Sequence, residues 1–114
     1  MKSDDIKRGV KMDFYMKSAK NNFLAKLTYT EGRFVLKKGS TVSQNVSNHF
    51  KSYKTVIKRR EEAGITDDEL TLKKDIVFNS SSVAGEFVCG SSCNGPSSWK
   101  TESGITLKEW MQSL

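Results

Sequence analysis

The chain has 114 residues, the size of one small domain with a modest core. Its 19 lysines and arginines and 13 aspartates and glutamates leave a formal net charge of +6, which favours a nucleic acid or an acidic protein surface as partner. No apolar run approaches the roughly 18 residues that a membrane helix needs. The first residues lack the apolar core of a signal peptide, so we expect a cytoplasmic protein that contacts no membrane.

The first third of the chain predicts a three-stranded antiparallel meander. Residues 1–10 are polar and are expected to form a flexible tail, so the single domain spans residues 11–114. Apolar and polar residues then alternate in three segments, which are joined by a turn at residues 19–22 and a tight hairpin at residues 30–32. The apolar positions of these strands are Met12, Phe14, Met16, Phe23, Ala25, Leu27, Tyr29, Phe34 and Leu36. Short connections favour antiparallel neighbours with one face on the core.

A long amphipathic helix is predicted next. Its apolar face consists of Val46, Phe50, Tyr53, Val56 and Ile57, at helical spacing. Ser47 is the expected N-cap, and Gly64 is the expected left-handed residue after the helix end. Leu70, Leu72 and Ile76 then indicate a short additional strand.

The last third of the chain predicts two more helices. A run of three serines, residues 80–82, precedes an apolar segment and is expected to cap a short helix that ends at Gly90. A glycine- and serine-rich loop with a short Trp99–Lys100 strand follows. Residues 106–114 predict a closing C-terminal helix, because their apolar side chains fall on one face. The fold class expected is therefore α+β: the meander, the long helix, a short strand, a short helix and the closing helix.

The segment from Phe78 onwards resembles a known family. It is similar to the small uncharacterised domain found behind GIY-YIG nuclease domains, and to the restriction-adenine-methylase-associated (RAMA) domain. The positions that carry the resemblance are Phe78, Ser80, Ser82, Ala84, Gly90, Asn94, Gly95, Trp99, Lys100, Gly104 and Leu107. Residues 32–40 match as well, so the resemblance covers nearly all of the chain after Lys11. Ser81 and Pro96 depart from the pattern, which has a proline and an aromatic residue there. The resemblance implies, at most, recognition of DNA in restriction or modification systems.

Basic residues on the long helix are the first candidate site. Lys51, Lys54 and Lys58 recur at helical spacing opposite the apolar face, and Arg59 and Arg60 extend the cluster. Such a stripe can follow a phosphate backbone, because each neutralised phosphate releases a counterion. The alternative is a solvated outer face of the kind that most amphipathic helices have, and two following glutamates dilute the charge.

Two further segments are candidates for phosphate or base contacts. Lys37 and Lys38 precede a Gly-Ser turn whose backbone N–H groups can bind an anion, although the spacing is not that of a P-loop. Asn94 and Lys100 flank a loop that ends in Trp99 and can offer a stacking platform beside a cation. The alternatives are an ordinary turn with exposed lysines and, for Trp99, a place in the core.

Catalytic and metal-binding groups are sparse. The one histidine, His49, has no recognisable nucleophile or orienting carboxylate, so no catalytic residue is assigned. Cys89 and Cys93 lack the second ligand pair of a zinc site, and we expect two free thiols. The acidic residues 67–69 do not have the spacing of a calcium loop. No cofactor and no metal are therefore predicted.

The sequence favours a non-catalytic accessory module of DNA-processing or DNA-defence systems that binds duplex or single-stranded nucleic acid through a basic face. The alternative is a protein-interaction module, for example a mobile-element or phage protein, that docks on an acidic partner. The oligomeric state is left open.

Overall fold

The computed structural model describes residues 10–114, so the predicted tail at residues 1–10 lies outside the described residues except for Val10. The fold is α+β, as predicted, with one antiparallel sheet in the order β1-β2-β3-β4. The strands are β1 Lys11–Ser18, β2 Phe23–Thr30, β3 Arg33–Leu36 and β4 Ile76–Phe78; the helices are α1 Tyr53–Glu62, α2 Ser81–Cys89, α3 Gly95–Ser98 and α4 Leu107–Gln112. None of the described helices is both long and apolar enough to span a membrane.

The predicted meander is confirmed, and its second turn shows why it forms. Thr30 pairs with Arg33 across a two-residue turn in which Glu31 has φ 50° and Gly32 has φ 79°. Two positive φ values are the requirement of the hairpin turn whose twist matches that of the flanking strands. The turn therefore sets the register in which the apolar positions of β2 and β3 lie on the same face.

One face of the sheet carries the core. Phe14, Ala25, Leu27 and Leu36 are completely buried on it, and α2 packs across β2, β3 and β4. Trp99 is also completely buried, as the core alternative for this residue predicts, and its indole N–H donates to the carbonyl of Ser81 at 2.9 Å. The four helices within residues 10–114 thus lie on the core side or at the ends of the sheet. The opposite face of the sheet is called the outer face below.

The predicted caps of α2 are confirmed, and α4 begins with a capping box that was not predicted. The Ser80 hydroxyl accepts from the backbone N–H groups of Ser82 and Val83 at 3.2 and 3.3 Å, and Gly90 ends α2 with φ 70°. Thr106 and Glu109 form a reciprocal capping box at the start of α4. These ends were predictable because each depends on residues within one helical turn.

The predicted start of the long helix is wrong. The helix begins at Tyr53, and Ser52, in the cap position, makes no side-chain capping bond. The preceding segment is held elsewhere, because the N–H groups of Ser43 and Ser47 donate to the carbonyls of Val88 and Gly90. A backbone tied to the end of α2 in this way is not free to wind into a helix. Gly64, by contrast, has the predicted left-handed conformation, with φ 77°.

Three smaller corrections concern short segments. The additional strand predicted from Leu70, Leu72 and Ile76 is present only from Ile76 to Phe78, and the residue between Leu70 and Leu72, Thr71, forms an isolated bridge with Thr41. The short Trp99–Lys100 strand is likewise reduced to isolated bridges. The helix Gly95–Ser98 was not predicted; the Asn94 side chain accepts from the N–H of Ser97, and a proline stands in its first turn.

Candidate nucleic-acid interface

The outer face of the sheet carries a row of lysines. Tyr15 pairs with Lys26 in the β1–β2 ladder, and the N–H of Lys37 donates to the carbonyl of Lys26 at 2.9 Å, which continues the β2–β3 register. On the free side of β1, the backbone of Lys100 pairs with Tyr15 through bonds of 2.6 and 3.1 Å. Paired residues of antiparallel segments point to the same face. Lys100, Tyr15, Lys26 and Lys37 therefore form one line across the sheet, called the lysine row below.

Alternation along each segment supports this placement. Trp99, the residue before Lys100, is completely buried, so the Lys100 side chain points to the opposite side and is exposed. Leu36, at the end of β3, is likewise completely buried, so the side chain of Lys37 points to the outer face, where it is half-buried. With neighbouring strands about 4.8 Å apart, the lysine row extends over about 14 Å.

Further basic and apolar side chains surround the row on the outer face. Their positions follow from the pairings of Lys11 with Thr30, Thr30 with Arg33, Lys17 with Leu24, and Val35 with Val77. The basic residues of this face are Lys11, Lys17, Lys26, Arg33, Lys37 and Lys100, and the acidic ones are Asp13 and Asp75. Leu24 and Val77 remain 55% and 52% exposed. The face is thus strongly positive, with exposed apolar side chains between the charges.

The two carboxylates on the strands of the sheet and their extensions, Asp13 and Asp75, are paired with lysines. The Lys26 ammonium lies 3.6 Å from Asp13, and the Lys37 ammonium lies 2.8 Å from Asp75. The hydrogen bond from the Lys37 side chain, followed by that from the Lys38 N–H, lowers the pKa of Asp75. Exposed ion pairs contribute only about 0–1 kcal/mol. A phosphate can therefore replace either carboxylate as the partner of its lysine at little cost.

The predicted helical cluster lies on a different surface. Lys54 and Lys58 are exposed on α1, whereas Lys51 is exposed in the turn before it. The Arg59 guanidinium stands 5.3 Å from the centre of the Phe78 ring, which is buried on the core side of the sheet. Helix α1 therefore lies on the side of the sheet opposite to the lysine row, and the two sets of cations do not form one surface.

Arg60, which was predicted to contact phosphate, is not on the surface. Its side chain is only 5% exposed, and it donates to the carbonyls of Phe87, Ser43 and Val88 at 2.9, 2.7 and 3.2 Å. Two of these carbonyls belong to the last turn of α2, where orphan acceptors and the helix dipole favour a cation. Burial lowers the pKa of Arg60 to about 10, so it remains charged at neutral pH. Arg60 therefore caps α2 and is unavailable to a ligand.

The Gly-Ser turn after Lys38 does not offer free N–H groups. The N–H of Lys38 donates to Asp75, that of Gly39 to Leu72, and that of Ser40 to Lys37. The alternative of an ordinary turn therefore describes this segment, because its N–H groups have partners within the protein and the Lys38 side chain is exposed.

Asn94 is exposed, but its side chain serves as the cap of α3, which packs against α2 and α4. Its side chain therefore has a role in the fold, as the cap of a helix. Three of the predicted contact residues lie next to strands of the sheet: Lys37 and Lys38 directly after β3, and Lys100 beside β1. Within residues 10–114, the other predicted contact residues neither directly follow a strand nor pair with one.

Most of the residues that carry the family resemblance have a role in the fold. The Ser82 hydroxyl accepts from the N–H of Gly95, the Trp99 carbonyl accepts from the N–H of Leu107, and Gly104 turns the chain with φ 93°. Phe78 and Ala84 are buried. Lys100 differs, because its backbone pairs with β1 while its side chain is exposed in the lysine row.

Sequence reasoning missed Tyr15, Lys17 and Lys26 as candidate contacts. All three occupy the polar positions of the alternating pattern, so the pattern itself marks them as outward-facing. Which of these residues lie beside Lys37 and Lys100 depends on the strand register. Within residues 10–114 no three side chains of histidine, cysteine, aspartate or glutamate converge as metal ligands would.

Comparison with known proteins places the chain in a family. Searches among curated proteins and among solved structures returned no match. A family model described as a domain of unknown function, DUF4357, matches residues 14–111. The match begins within β1 and ends within α4, so it includes these two elements in part and every element between them in full. The chain therefore belongs to the DUF4357 family of domains.

Proposed function

We propose that this domain is a non-catalytic nucleic-acid-binding module whose contact surface is the outer face of the sheet. The observation that carries the proposal is the lysine row, which sets the backbone positions of three lysines in one line across the outer face within about 14 Å. Phosphates neutralised by such groups release counterions, which favours binding at low salt. Lys11, Lys17 and Arg33 add charge on both sides of the row.

The resemblance to domains behind GIY-YIG nucleases and to the RAMA domain supports DNA as the nucleic acid. It also supports a role as an accessory module in DNA processing or DNA defence, where another domain would supply the chemistry.

The test compares two double variants that each remove two charges. Lys26→Gln with Lys100→Gln neutralises the lysine row, and Lys54→Gln with Lys58→Gln neutralises α1. Fluorescence anisotropy with labelled single-stranded and duplex DNA at several salt concentrations gives the affinity and its salt dependence. The row variant should bind more weakly and should flatten the slope of log K against log salt by about 1.5, because two phosphate contacts are lost.

The α1 variant is the matched control and should behave like the unmodified protein. A larger effect of the α1 variant would move the contact surface from the sheet to the helix. If the unmodified protein binds no DNA even at low salt, nucleic-acid binding is rejected. Docking on an acidic protein partner would then be the function to pursue.

A further inference from the structure

A cavity opens at the end of the lysine row, where the outer face of the sheet meets the segment that carries Lys100. It has a volume of about 540 Å³, within the range of typical small-ligand sites. Tyr15 and Leu24 provide apolar walls, and Lys17, Lys100 and Glu102 provide charged groups at the rim. The cavity is open towards the outer face, because the outward-facing residues Tyr15, Lys17 and Leu24 line it. One group of a polymer bound on that face can therefore enter the cavity.

The far wall of the cavity is a well-ordered turn. The N–H of Thr101 donates to the carbonyl of Ile105 at 2.8 Å, and that of Gly104 donates to the carbonyl of Thr101 at 2.9 Å. The Thr101 hydroxyl also accepts from the N–H of Ile105 at 3.0 Å. These bonds close the turn that carries Glu102, one of the lining residues of the cavity.

The charges distinguish this cavity from its neighbour. Lys17 and Lys100 outnumber Glu102 around the first cavity, so it suits a ligand with an anionic group beside an apolar ring. A second cavity of about 810 Å³ lies on the other side of Tyr15, where Asp13 and Glu102 outnumber Lys11. That second cavity disfavours a phosphate. A bound strand is therefore expected to follow the Lys17 side of Tyr15.

We infer that the first cavity takes one unpaired nucleobase of a single-stranded nucleic acid. The base packs against Tyr15 and Leu24, the flanking phosphates lie at Lys17 and Lys100, and the Glu102 carboxylate accepts from a base amino or imino group. A paired base cannot enter in this way, because its faces are stacked and its edge is engaged within the duplex. The inference rests on the proposed function, since the lysine row must first hold the strand.

The experiment measures anisotropy with three labelled DNA probes of equal length: a single strand with bases, a single strand of abasic sites, and a duplex. Loss of stacking on aromatic side chains lowers affinity by roughly 5- to 150-fold per base. The unmodified protein should show a preference of this size for the strand with bases over the abasic strand. It should also bind the strand with bases more tightly than the duplex.

Two exposed apolar residues of the outer face form a matched pair of variants. Leu24→Ala truncates a wall of the cavity, whereas Val77→Ala truncates a side chain of similar exposure on β4, outside it. Leu24→Ala and Tyr15→Thr should reduce the preference for bases, and Val77→Ala should leave it unchanged. Leu24 is exposed, so its variant remains informative even if Tyr15→Thr fails to fold.

The outcomes separate this inference from the proposed function. Equal affinity for the abasic strand and the strand with bases, or tighter binding of the duplex, would overturn the base-binding inference and leave backbone binding intact. An equal effect of Leu24→Ala and Val77→Ala would also overturn it. Absence of binding to all three probes at low salt would overturn both.

Discussion

Replacement of Arg60 by methionine should destabilise the domain by about 3 kcal/mol. The Arg60 guanidinium is the only donor among the described residues to the carbonyls of Phe87 and Ser43, whereas the Val88 carbonyl also accepts from the N–H of Ser43. Two carbonyls would thus lose their partner, and a buried acceptor without a partner costs about 1–3 kcal/mol. Relief of the desolvation of the guanidinium offsets part of this cost.

Urea unfolding followed by tryptophan fluorescence measures this change, because both Trp99 and Trp110 are buried. For a domain of this size, 3 kcal/mol corresponds to a fall in Tm of about 12 °C. Arg59→Met is the matched control. Arg59 is exposed, and its guanidinium lies 5.3 Å from the centre of the Phe78 ring. Loss of this cation–π contact should lower the free energy of unfolding by about 0.5–1 kcal/mol.

The reasoning would be refuted by a cost below about 1 kcal/mol for Arg60→Met, or by equal costs for the two variants. The Arg60→Met variant also tests whether the Arg60 side chain contacts the proposed nucleic acid. Measured well below its Tm, Arg60→Met should keep the DNA affinity of the unmodified protein, because the guanidinium does not reach the surface. Loss of affinity in the folded variant would show that Arg60 contacts the nucleic acid after all.

Two further predictions concern the region around α2. Gly95→Ala should destabilise by about 2 kcal/mol or more in thermal unfolding, because an added Cβ would collide with the backbone of Ser81 and Ser82 at the start of α2; an unchanged Tm would contradict this. Interaction with the Cys93 thiol lowers the pKa of Cys89 to about 6, and the same interaction raises the pKa of Cys93. Iodoacetamide should therefore alkylate Cys89 first, with a pH midpoint near 6 that moves up in Cys93→Ala, and equal rates at both thiols would argue against the pairing. In the unfolded chain the thiols ionise near pH 9.0. Between pH 6 and pH 9 the folded protein therefore binds fewer protons than the unfolded chain, so its stability should rise with pH. Above pH 9 the contribution of the thiols to stability should fall.

Local patterns predicted the strands and most of the helix ends. The alternation of β1, β2 and β3, the Glu31–Gly32 turn and the serine cap of α2 all depend on neighbours a few residues away. The start of α1 was not predictable in the same way. Ser47 has the chemistry of an N-cap, but its backbone N–H bonds to Gly90, more than forty positions along the chain.

The sequence alone determined the charge of the domain, its α+β class and which side chains of each strand point away from the core, because these depend on composition and on short-range periodicity. Only the tertiary structure decided which basic residues share a surface. The lysine row brings Tyr15 and Lys100 together through the pairing of segments that are distant in sequence. In the same way, packing of α1 against the end of α2 turned Arg60 from a predicted phosphate contact into a buried cap, because unpaired carbonyls in the interior need a donor.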